Sequence, residues 1–188
     1  MAVLIEAEAR ALVARAFCRA GVADDMAEAA ALHLTLAEMM GISTHGLSRV
    51  APILERIAAG GIEAAARPEV SAPAPALRLV DARDALGPAV AQMALAEGMA
   101  AAKAAGMAGV WVRRATHLGA IAPVLWVAAE AGFACLATSN SAPMLAPPGG
   151  RAARVGNAPT GIGLPHGDGR HAMLDMALSV AARSKLRK

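Results

Sequence analysis

Two short segments of the sequence contain residue types suited to proton transfer beside a bound anion. Residues 41–49 read GISTHGLSR and residues 116–119 read THLG, so each holds one histidine among small, hydroxyl-bearing or turn-forming residues. An unperturbed imidazole titrates at about pH 6.5, and an arginine guanidinium holds a carboxylate through two parallel hydrogen bonds. His45 followed by Arg49 therefore fits a site for a small carboxylate, although a histidine beside a glycine is also a common turn or cap residue.

The composition favours a globular protein of one domain, or of one domain and part of a second. The chain has 188 residues, 56% of them hydrophobic but only 2% aromatic, so a core must be built from Leu, Ile, Val, Met and Ala. The net charge of +3 is concentrated in the basic residues 183–188, and no basic stripe is interleaved with aromatic residues. We therefore expect no nucleic-acid partner.

Targeting, membrane and metal signals are not evident in the sequence. Charged residues at positions 6, 8 and 10 argue against a signal peptide, and prolines interrupt the longest uncharged run, residues 131–150. These features predict a cytoplasmic protein without a membrane span. Cys18 and Cys135 are far apart, and neither a CxxC pair nor an HExxH motif is present, so we expect no metal site.

The hydrophobic pattern predicts a helical N-terminal third followed by an α/β region. Helices are predicted over residues 5–20, from Asp24 as N-cap to Met40, and along an apolar stripe over residues 47–57. Proline and small residues then suggest a linker over residues 68–76. The predicted organisation is a helical domain over residues 1–67, this linker, and an α/β domain over residues 77–188.

Within the α/β region, alternating strand and helix signals follow one another. Strands are predicted at residues 77–80, 107–112, 133–138, 162–164 and 172–174, and helices at residues 89–105, 120–131 and 176–186. The sequence Gly161-Ile162-Gly163 lacks the third glycine of a dinucleotide-binding fingerprint, and Pro165 would break the required helix. His33, His166 and His171 are interpreted as surface or structural residues.

Five pieces of sequence in a fixed order resemble a known family. They are His45 with Arg49, then residues 116–119, 138–143, 146–150 and 174–179. The series resembles the malate/L-lactate dehydrogenase family, which is unrelated to the Rossmann-type lactate dehydrogenases and includes ureidoglycolate, sulfolactate and piperideine-2-carboxylate oxidoreductases. The resemblance runs from about residue 5 to residue 185 and is expected to cover the N-terminal half of such a protein.

The resemblance implies a fold and a reaction. The fold class is α/β (α+β): a helical domain and a partial, largely antiparallel, non-Rossmann cofactor-binding sheet with helices, in a homodimer. The implied reaction is the NAD- or NADP-dependent interconversion of a small 2-hydroxy acid and a 2-oxo acid. His45 or His117 would be the proton donor and acceptor, and Arg49 would bind the substrate carboxylate. Thr44, where the family usually has serine, would orient the His45 ring.

The resemblance also implies positions that contact the nicotinamide cofactor. Backbone contacts are expected where a helix start offers free N–H groups to phosphate, at His117, Leu118, Gly119, Ala120 and Ile121. Further contacts are expected at Ser141, Asp175, Met176 and Ala177. From its position alone, Asp175 also fits a helix N-cap ahead of Met176 and Ala177.

The sequence departs from the family pattern in three places. Residues 156–159 read GNAP where the family typically has GTNP, and residues 183–185 read RSK where it has RGK. Family members also continue for roughly as long again, so we expect an uncovered apolar strand edge or face. The alternatives are a truncated, non-catalytic remnant that keeps a dimerising surface, or a purely structural helical protein.

Overall fold

The structure is a computed structural model that describes residues 4–179. The chain divides into two compact units, Met1–Ala120 and Ile121–Lys188, which are described separately. Both combine helices with a small β-sheet, as the predicted α/β (α+β) class requires.

Two helices form the beginning of the first unit, as predicted. Helix α1 spans Glu6–Arg19 and helix α2 spans Asp24–Met39. Glu6 and Glu8 in the first turn of α1 favourably oppose the positive end of the helix dipole. The predicted side-chain cap at Asp24 is wrong, because Ala23 is the N-cap residue of α2 and no side-chain cap bond forms.

Two further helices of this unit begin close to a proline. Helix α3 spans Val50–Ala58 and contains Pro52 in its first turn, while helix α4 spans Gly87–Ala105 with Pro88 at its start. The first turn tolerates proline because its N–H groups have no partner inside the helix. Helix α3 begins later than the apolar stripe predicted, since residues 43–45 and 47–49 form two short 3₁₀ turns.

The first sheet has three strands in the order β1-β2-β3. Strand β1 (Glu69–Ala74) is antiparallel to β2 (Leu77–Asp81), and β2 is parallel to β3 (Gly109–Arg113). Most of the segment predicted as a linker is therefore strand. Its Pro73 lies beside a register irregularity on an edge strand, where a missing N–H is tolerated. Residues 77–120 belong to the first compact unit, so that its boundary lies well beyond the predicted linker. The division into a helical and a cofactor-binding domain stays a prediction.

The core of the first unit is formed by helices α1, α2 and α4 and by strand β2. Its largest buried apolar side chains include Phe17, Leu34, Leu86, Val80 and Val90. Alanines fill much of the remaining helix interfaces, and several alanines of α2 are completely buried. Because alanine has no bulky side chain, the helices can approach closely, but each residue buries little apolar area.

The second unit packs one helix against an antiparallel sheet. Helix α5 spans Ala122–Glu130, and the sheet has the order β4 (Cys135–Thr138), β5 (Thr160–Leu164) and β6 (Ala172–Met176). A Cβ at Gly161 would lie 2.8 Å from side-chain carbons of Ile121 and Leu125. The glycines of the incomplete fingerprint therefore allow α5 to lie directly on β5.

The end of the described chain corrects one prediction. Met176, predicted to begin a closing helix, is the last residue of strand β6, and residues 177–179 are not helical. The remainder of the predicted helix, residues 180–186, lies outside the described residues. Backbone pairing with β5 through Asp175 and Met176 is the physical reason that the strand continues this far.

Both sheets expose apolar side chains, as expected from the resemblance. In the first sheet Trp111 is 63% exposed, and in the second Leu136 is 71% exposed. The other large apolar residues exposed on the strands are Val70, Leu79, Val112, Ile162, Leu164, Met173, Leu174 and Met176. Among the helices of the described part, none is long and apolar enough to cross a membrane.

Candidate active site

The segment that carries His45 and Arg49 connects helices α2 and α3. Backbone bonds from His45 N–H to the Ile42 carbonyl (2.9 Å) and from Arg49 N–H to the Gly46 carbonyl (3.0 Å) close its two 3₁₀ turns. The carboxylate of Glu38, near the end of α2, accepts a hydrogen bond from the Leu47 N–H at 2.8 Å. This side chain, which no sequence motif singled out, ties the segment back to α2.

Thr44 lies where it can orient the His45 ring. Its Oγ1 is 3.0 Å from His45 Nδ1, which is a hydrogen-bonding distance between adjacent residues. If the threonine hydroxyl donates this bond, the ring proton is held on Nε2, the nitrogen farther from the backbone. The expected contact is confirmed, whereas the role of Thr44 in a reaction stays a prediction.

The segment that carries His117 is fixed against the start of helix α4. Thr116 Oγ1 accepts a hydrogen bond from the Gly87 N–H and donates one to the Ala85 carbonyl, both at 2.9 Å. A Cβ at position 87 would lie only 2.3 Å from the His117 carbonyl oxygen, so this approach requires glycine. The sequence pattern included Thr116 without a role, and no local signal connected it with Gly87.

The rings of His45 and His117 stack on each other. Their centroids are 5.7 Å apart and their planes are inclined by 20°. His117 is exposed and His45 is half-buried. The structure therefore brings the two predicted histidines into one accessible cluster, and the expectation that they converge is confirmed.

The surroundings of His117 disfavour its charged form. Partial burial of the ring and then the positive charge of Arg49, followed by His45 and Arg56, lower the pKa of His117 to about 4. Because His117 nevertheless has access to solvent, water screens the electrostatic part of the effect. The ring is therefore neutral near pH 7 and has a nitrogen lone pair available to accept a proton.

Arg49 is a half-buried residue whose positive charge is felt at the His117 ring. Its charge acts on His117, and it forms no salt bridge with any of residues 4–179. The four-residue spacing from His45 does not act through an α-helix face, as was expected, because the two 3₁₀ turns intervene. An unpaired guanidinium is nevertheless suited to a carboxylate ligand.

A third histidine lies behind this cluster. His33 in α2 is completely buried, so its interpretation as a surface residue is wrong and only a structural position remains. Its Nδ1 is 3.2 Å from Nε2 of Gln92 in α4. The spacing of His33 from Ala30 and Ala37 on the buried face of α2 is the sequence signal that would have revealed its burial.

The predicted cofactor segment ends at the start of helix α5. Ala120 and Ile121 are buried, and Ile121 is the N-cap residue of α5. The helix start already carries an anion, because Asp175 Oδ2 accepts a hydrogen bond from the Ala122 N–H at 2.9 Å. The predicted cap ahead of Met176 is therefore wrong, and a phosphate at α5 would compete with this carboxylate.

Ser141 is joined to Asn157, a residue that no sequence motif had placed in the site. Its hydroxyl accepts a hydrogen bond from the Asn157 N–H at 2.8 Å and donates to Asn157 Oδ1 at 2.7 Å. The next residue, Ala158, has φ of +31°, which is unfavourable for a residue other than glycine or asparagine. The Leu178 N–H binds the Asn157 carbonyl at 2.9 Å, which connects this loop with the chain after Ala177.

Metal ligation finds no support in the part of the chain that is described. Residues 4–179 contain no group of three or more histidine, cysteine, aspartate or glutamate side chains arranged to hold a metal ion. The His45–His117 pair lacks a third ligand of this kind.

Comparison with characterised proteins identifies relatives along nearly the whole chain. Ureidoglycolate dehydrogenase (NAD(+)) of Escherichia coli K12 is 32% identical over 176 residues, which cover 93% of this chain and 50% of the relative. The (2R)-3-sulfolactate dehydrogenase (NADP(+)) of Chromohalobacter salexigens is 33% identical over 95% of this chain and 54% of its own. The chain thus spans about half the length of the curated relatives it matches.

Solved structures show the same relationship. Malate dehydrogenase from Pyrococcus horikoshii OT3 superposes with a TM-score of 0.91 at 28% identity, over 98% of this chain and 53% of that one. Delta1-piperideine-2-carboxylate reductase from Pseudomonas syringae gives 0.92 at 26% identity, over 100% of this chain and 56% of that one. The family profile for malate/L-lactate dehydrogenase matches residues 5–188, and the chain therefore belongs to the malate/L-lactate dehydrogenase family.

Proposed function

We propose that this chain provides the proton-transfer and carboxylate-binding groups of an NAD(P)-dependent oxidoreductase that interconverts a small 2-hydroxy acid and a 2-oxo acid. The observation that carries the proposal is the stacked His45–His117 pair together with Arg49, whose charge acts on His117 and which forms no salt bridge with residues 4–179. The relatives' names, which include malate, ureidoglycolate and sulfolactate dehydrogenases, support this substrate class.

In this proposal His117 moves the proton. A neutral imidazole accepts the proton of a substrate hydroxyl as a 2-hydroxy acid is oxidised, and the protonated ring returns it in the reverse direction. Stacking on His45 holds the ring in one orientation. The contact between Thr44 and His45 in turn fixes the partner ring.

Arg49 orients the substrate and also couples binding to proton transfer. Two parallel hydrogen bonds to the carboxylate would align the neighbouring carbon centre with the imidazoles. A bound carboxylate also offsets the positive charge that lowers the pKa of His117. Substrate binding would therefore make His117 a stronger base at the moment when it must accept a proton.

Asp175 in the second unit is suited to hold part of a nicotinamide cofactor. Its Oδ2 is anchored to the Ala122 N–H, whereas Oδ1 makes no hydrogen bond with residues 4–179 and the side chain is exposed. A carboxylate oxygen fixed in this way can accept hydrogen bonds from amide or hydroxyl groups, and the nicotinamide cofactor carries both kinds of group. When bound, the cofactor would supply or accept the hydride. The remaining contacts predicted from the resemblance, at Ser141, at Met176 and Ala177, and along residues 117–121, are part of the proposal.

The proposal is tested by following nicotinamide absorbance with the 188-residue chain. NADH and NADPH are each combined with oxaloacetate, pyruvate, sulfopyruvate and a cyclic imine acid, and the reverse reaction is followed with the corresponding hydroxy or amino acids. Turnover that is lost in His117→Asn supports the proposal. Turnover that persists in this variant excludes His117 as the proton carrier.

Cofactor binding separates the enzyme from the non-catalytic alternative. Fluorescence titration with NADH and NADPH reports binding without chemistry and distinguishes the two cofactors. A folded chain that neither binds nor oxidises them would be the non-catalytic remnant. Sedimentation of the same sample tests the expected homodimer.

A further inference from the structure

The buried imidazole of His33 has one satisfied and one unsatisfied nitrogen. Nδ1 faces the Gln92 side-chain amide at 3.2 Å, whereas Nε2 is buried and forms no hydrogen bond with the described part of the protein. The Ala120 backbone lies near this nitrogen without forming a bond of normal geometry. Buried polar atoms are usually satisfied, so an exception of this kind calls for an explanation.

The unsatisfied edge of His33 lies against the turn that follows His117. Gly119 has φ of +99°, and a Cβ at this position would be 2.9 Å from His33 Nε2 and 3.3 Å from Cδ2. Only glycine adopts this backbone conformation without strain, and only glycine leaves room for the ring. The ring therefore supports the backbone two residues beyond the candidate proton carrier.

The cluster also explains why His33 remains neutral. Burial lowers the pKa of His33 to about 4, and the Ala120 backbone opposes this shift. Repulsion from the imidazoles of His117 and then His45, when they are protonated, lowers the pKa of His33 further. A neutral ring whose Nδ1 accepts from the Gln92 amide carries its proton on Nε2, the edge that faces Gly119 and Ala120. The His33–Gln92 pair thus joins α2, α4 and the segment after His117 through one oriented side chain.

We propose that His33, oriented by Gln92, is a positioning residue that fixes the Gly119 turn and thereby the ring of His117. The inference rests on the proposed function insofar as it concerns turnover. Its structural part concerns only the first unit, and that part can be measured without substrate or cofactor. In this role His33 acts through the backbone of the 117–120 segment, because the edge of its ring lies against Gly119.

Three substitutions of His33 separate the role of Nε2 from simple filling of space. His33→Gln places an amide nitrogen near the position of Nε2, His33→Asn places one near Nδ1, and His33→Phe retains the ring without either nitrogen. NMR of the intact chain reports the Gly119 amide shift and the titration of the His117 ring. The charged or titratable groups that act on this ring are Arg49, His45 and Arg56. Steady-state kinetics adds kcat and KM.

The expected pattern is retention by glutamine alone. His33→Phe and His33→Asn should shift the Gly119 amide, change the pH at which His117 titrates, and lower kcat about tenfold or more with KM nearly unchanged. A folded His33→Phe protein with unchanged Gly119 and His117 signals would overturn the proposal. If the wild-type chain shows no turnover, the proposed function fails, while the NMR comparison still decides the positioning role.

A matched pair of glycine substitutions provides a test that leaves His33 intact. Gly119→Ala adds a methyl group against the ring, whereas Gly106→Ala imposes a similar backbone strain at φ +83° with nothing within 4 Å of the new atom. We expect Gly119→Ala alone to shift the His33 and His117 signals. If the His33 variants do not fold, the comparison of Gly119→Ala with Gly106→Ala tests the positioning role of His33 instead. Equal effects of these two substitutions on the His33 and His117 signals would overturn the proposal.

Discussion

His45 and His117 stack with their ring centroids 5.7 Å apart, although they belong to segments that are distant in the sequence. One ring is positioned from the end of α2, through Glu38 and Thr44. The other is positioned from the start of α4, through Thr116. The close packing of α2 against α4 in the core of the first unit is what makes the two segments meet.

Replacing Arg49 by lysine should not preserve activity. Lysine keeps the charge but lacks the planar fork that binds both carboxylate oxygens. We expect a loss of about 2–4 kcal/mol in transition-state stabilisation, calculated from the decrease in kcat/KM with the preferred 2-oxo acid. Arg15→Lys, a change at an exposed arginine in α1, is the matched control and should have no effect. Near-native turnover of Arg49→Lys would remove Arg49 from the site.

Thr44 can be tested through its hydroxyl alone. Thr44→Val removes the group that lies 3.0 Å from His45 Nδ1 while keeping a branched side chain, and Thr44→Ser keeps it. Loss of one hydrogen bond of about 1 kcal/mol predicts a decrease in kcat of roughly fivefold for valine. Serine should remain near wild type. Equal rates for the two variants would show that the hydroxyl does not orient the ring.

A carboxylate ligand should raise the pKa of His117. Arg49 is the second-largest cause of the lowered pKa after burial of the ring, and an anion bound to Arg49 offsets its charge. NMR titration of the imidazole signals with and without oxamate measures the shift. In Arg49→Gln the pKa should be raised before oxamate is added and should then respond little. An unchanged His117 titration in the Gln variant would contradict the assigned influence of Arg49.

The first unit should lose stability as the pH falls from about 6.5 to about 4. In this window unfolded His33 binds a proton and buried His33 does not, because burial lowers its pKa to about 4. Stability is therefore complete above pH 6.5 and decreases by roughly 3 kcal/mol on acidification through this range. Urea unfolding at several pH values measures the slope.

His33→Gln should reduce this slope, because glutamine does not titrate. Part of the slope should remain, because the pKa of His117 is also lowered to about 4 and His117 contributes in the same pH window. The carboxylates act in a separate window: a hydrogen bond from Arg67 lowers the pKa of Asp25, so its contribution is present above about pH 4 and is lost only at lower pH. An identical pH dependence in wild type and His33→Gln would show that His33 is protonated in the folded protein.

Ala158 should be a site where substitution stabilises the second unit. Its φ of +31° is costly for alanine and is tolerated by asparagine or glycine. Ala158→Asn and Ala158→Gly are each expected to raise the free energy of unfolding by up to about 1 kcal/mol, whereas Ala158→Val should lower it. Ala153→Gly, at an exposed loop position without positive φ, should destabilise. A destabilising effect of both Asn and Gly at position 158 would argue against the backbone strain.

The helices and strands follow largely from local sequence, since apolar spacing, glycines and prolines act over a few residues. Two of the exceptions arise from pairing between strands. Strand β1 arises from pairing with β2, which the proline-rich composition of residues 68–76 did not indicate. Strand β6 includes Asp175 and Met176 because β5 supplies their hydrogen-bond partners, although the same residues fit a helix start.

The candidate site likewise has features that local sequence indicates and features that arise only on folding. Residue types and spacing made His45, Arg49 and His117 candidates, because imidazole and guanidinium chemistry is a property of the side chain, and the family resemblance supplied their expected roles. The contacts that orient them, from Glu38, Thr116 and the His33–Gln92 pair, depend on helices that meet only in the folded chain. Burial and neighbouring charge, which lower the pKa of His117, likewise exist only after α2 and α4 have packed together. The groups that can react are therefore readable from the residue types, whereas their orientation and protonation arise only on folding, because both depend on distances between segments that are remote in the chain.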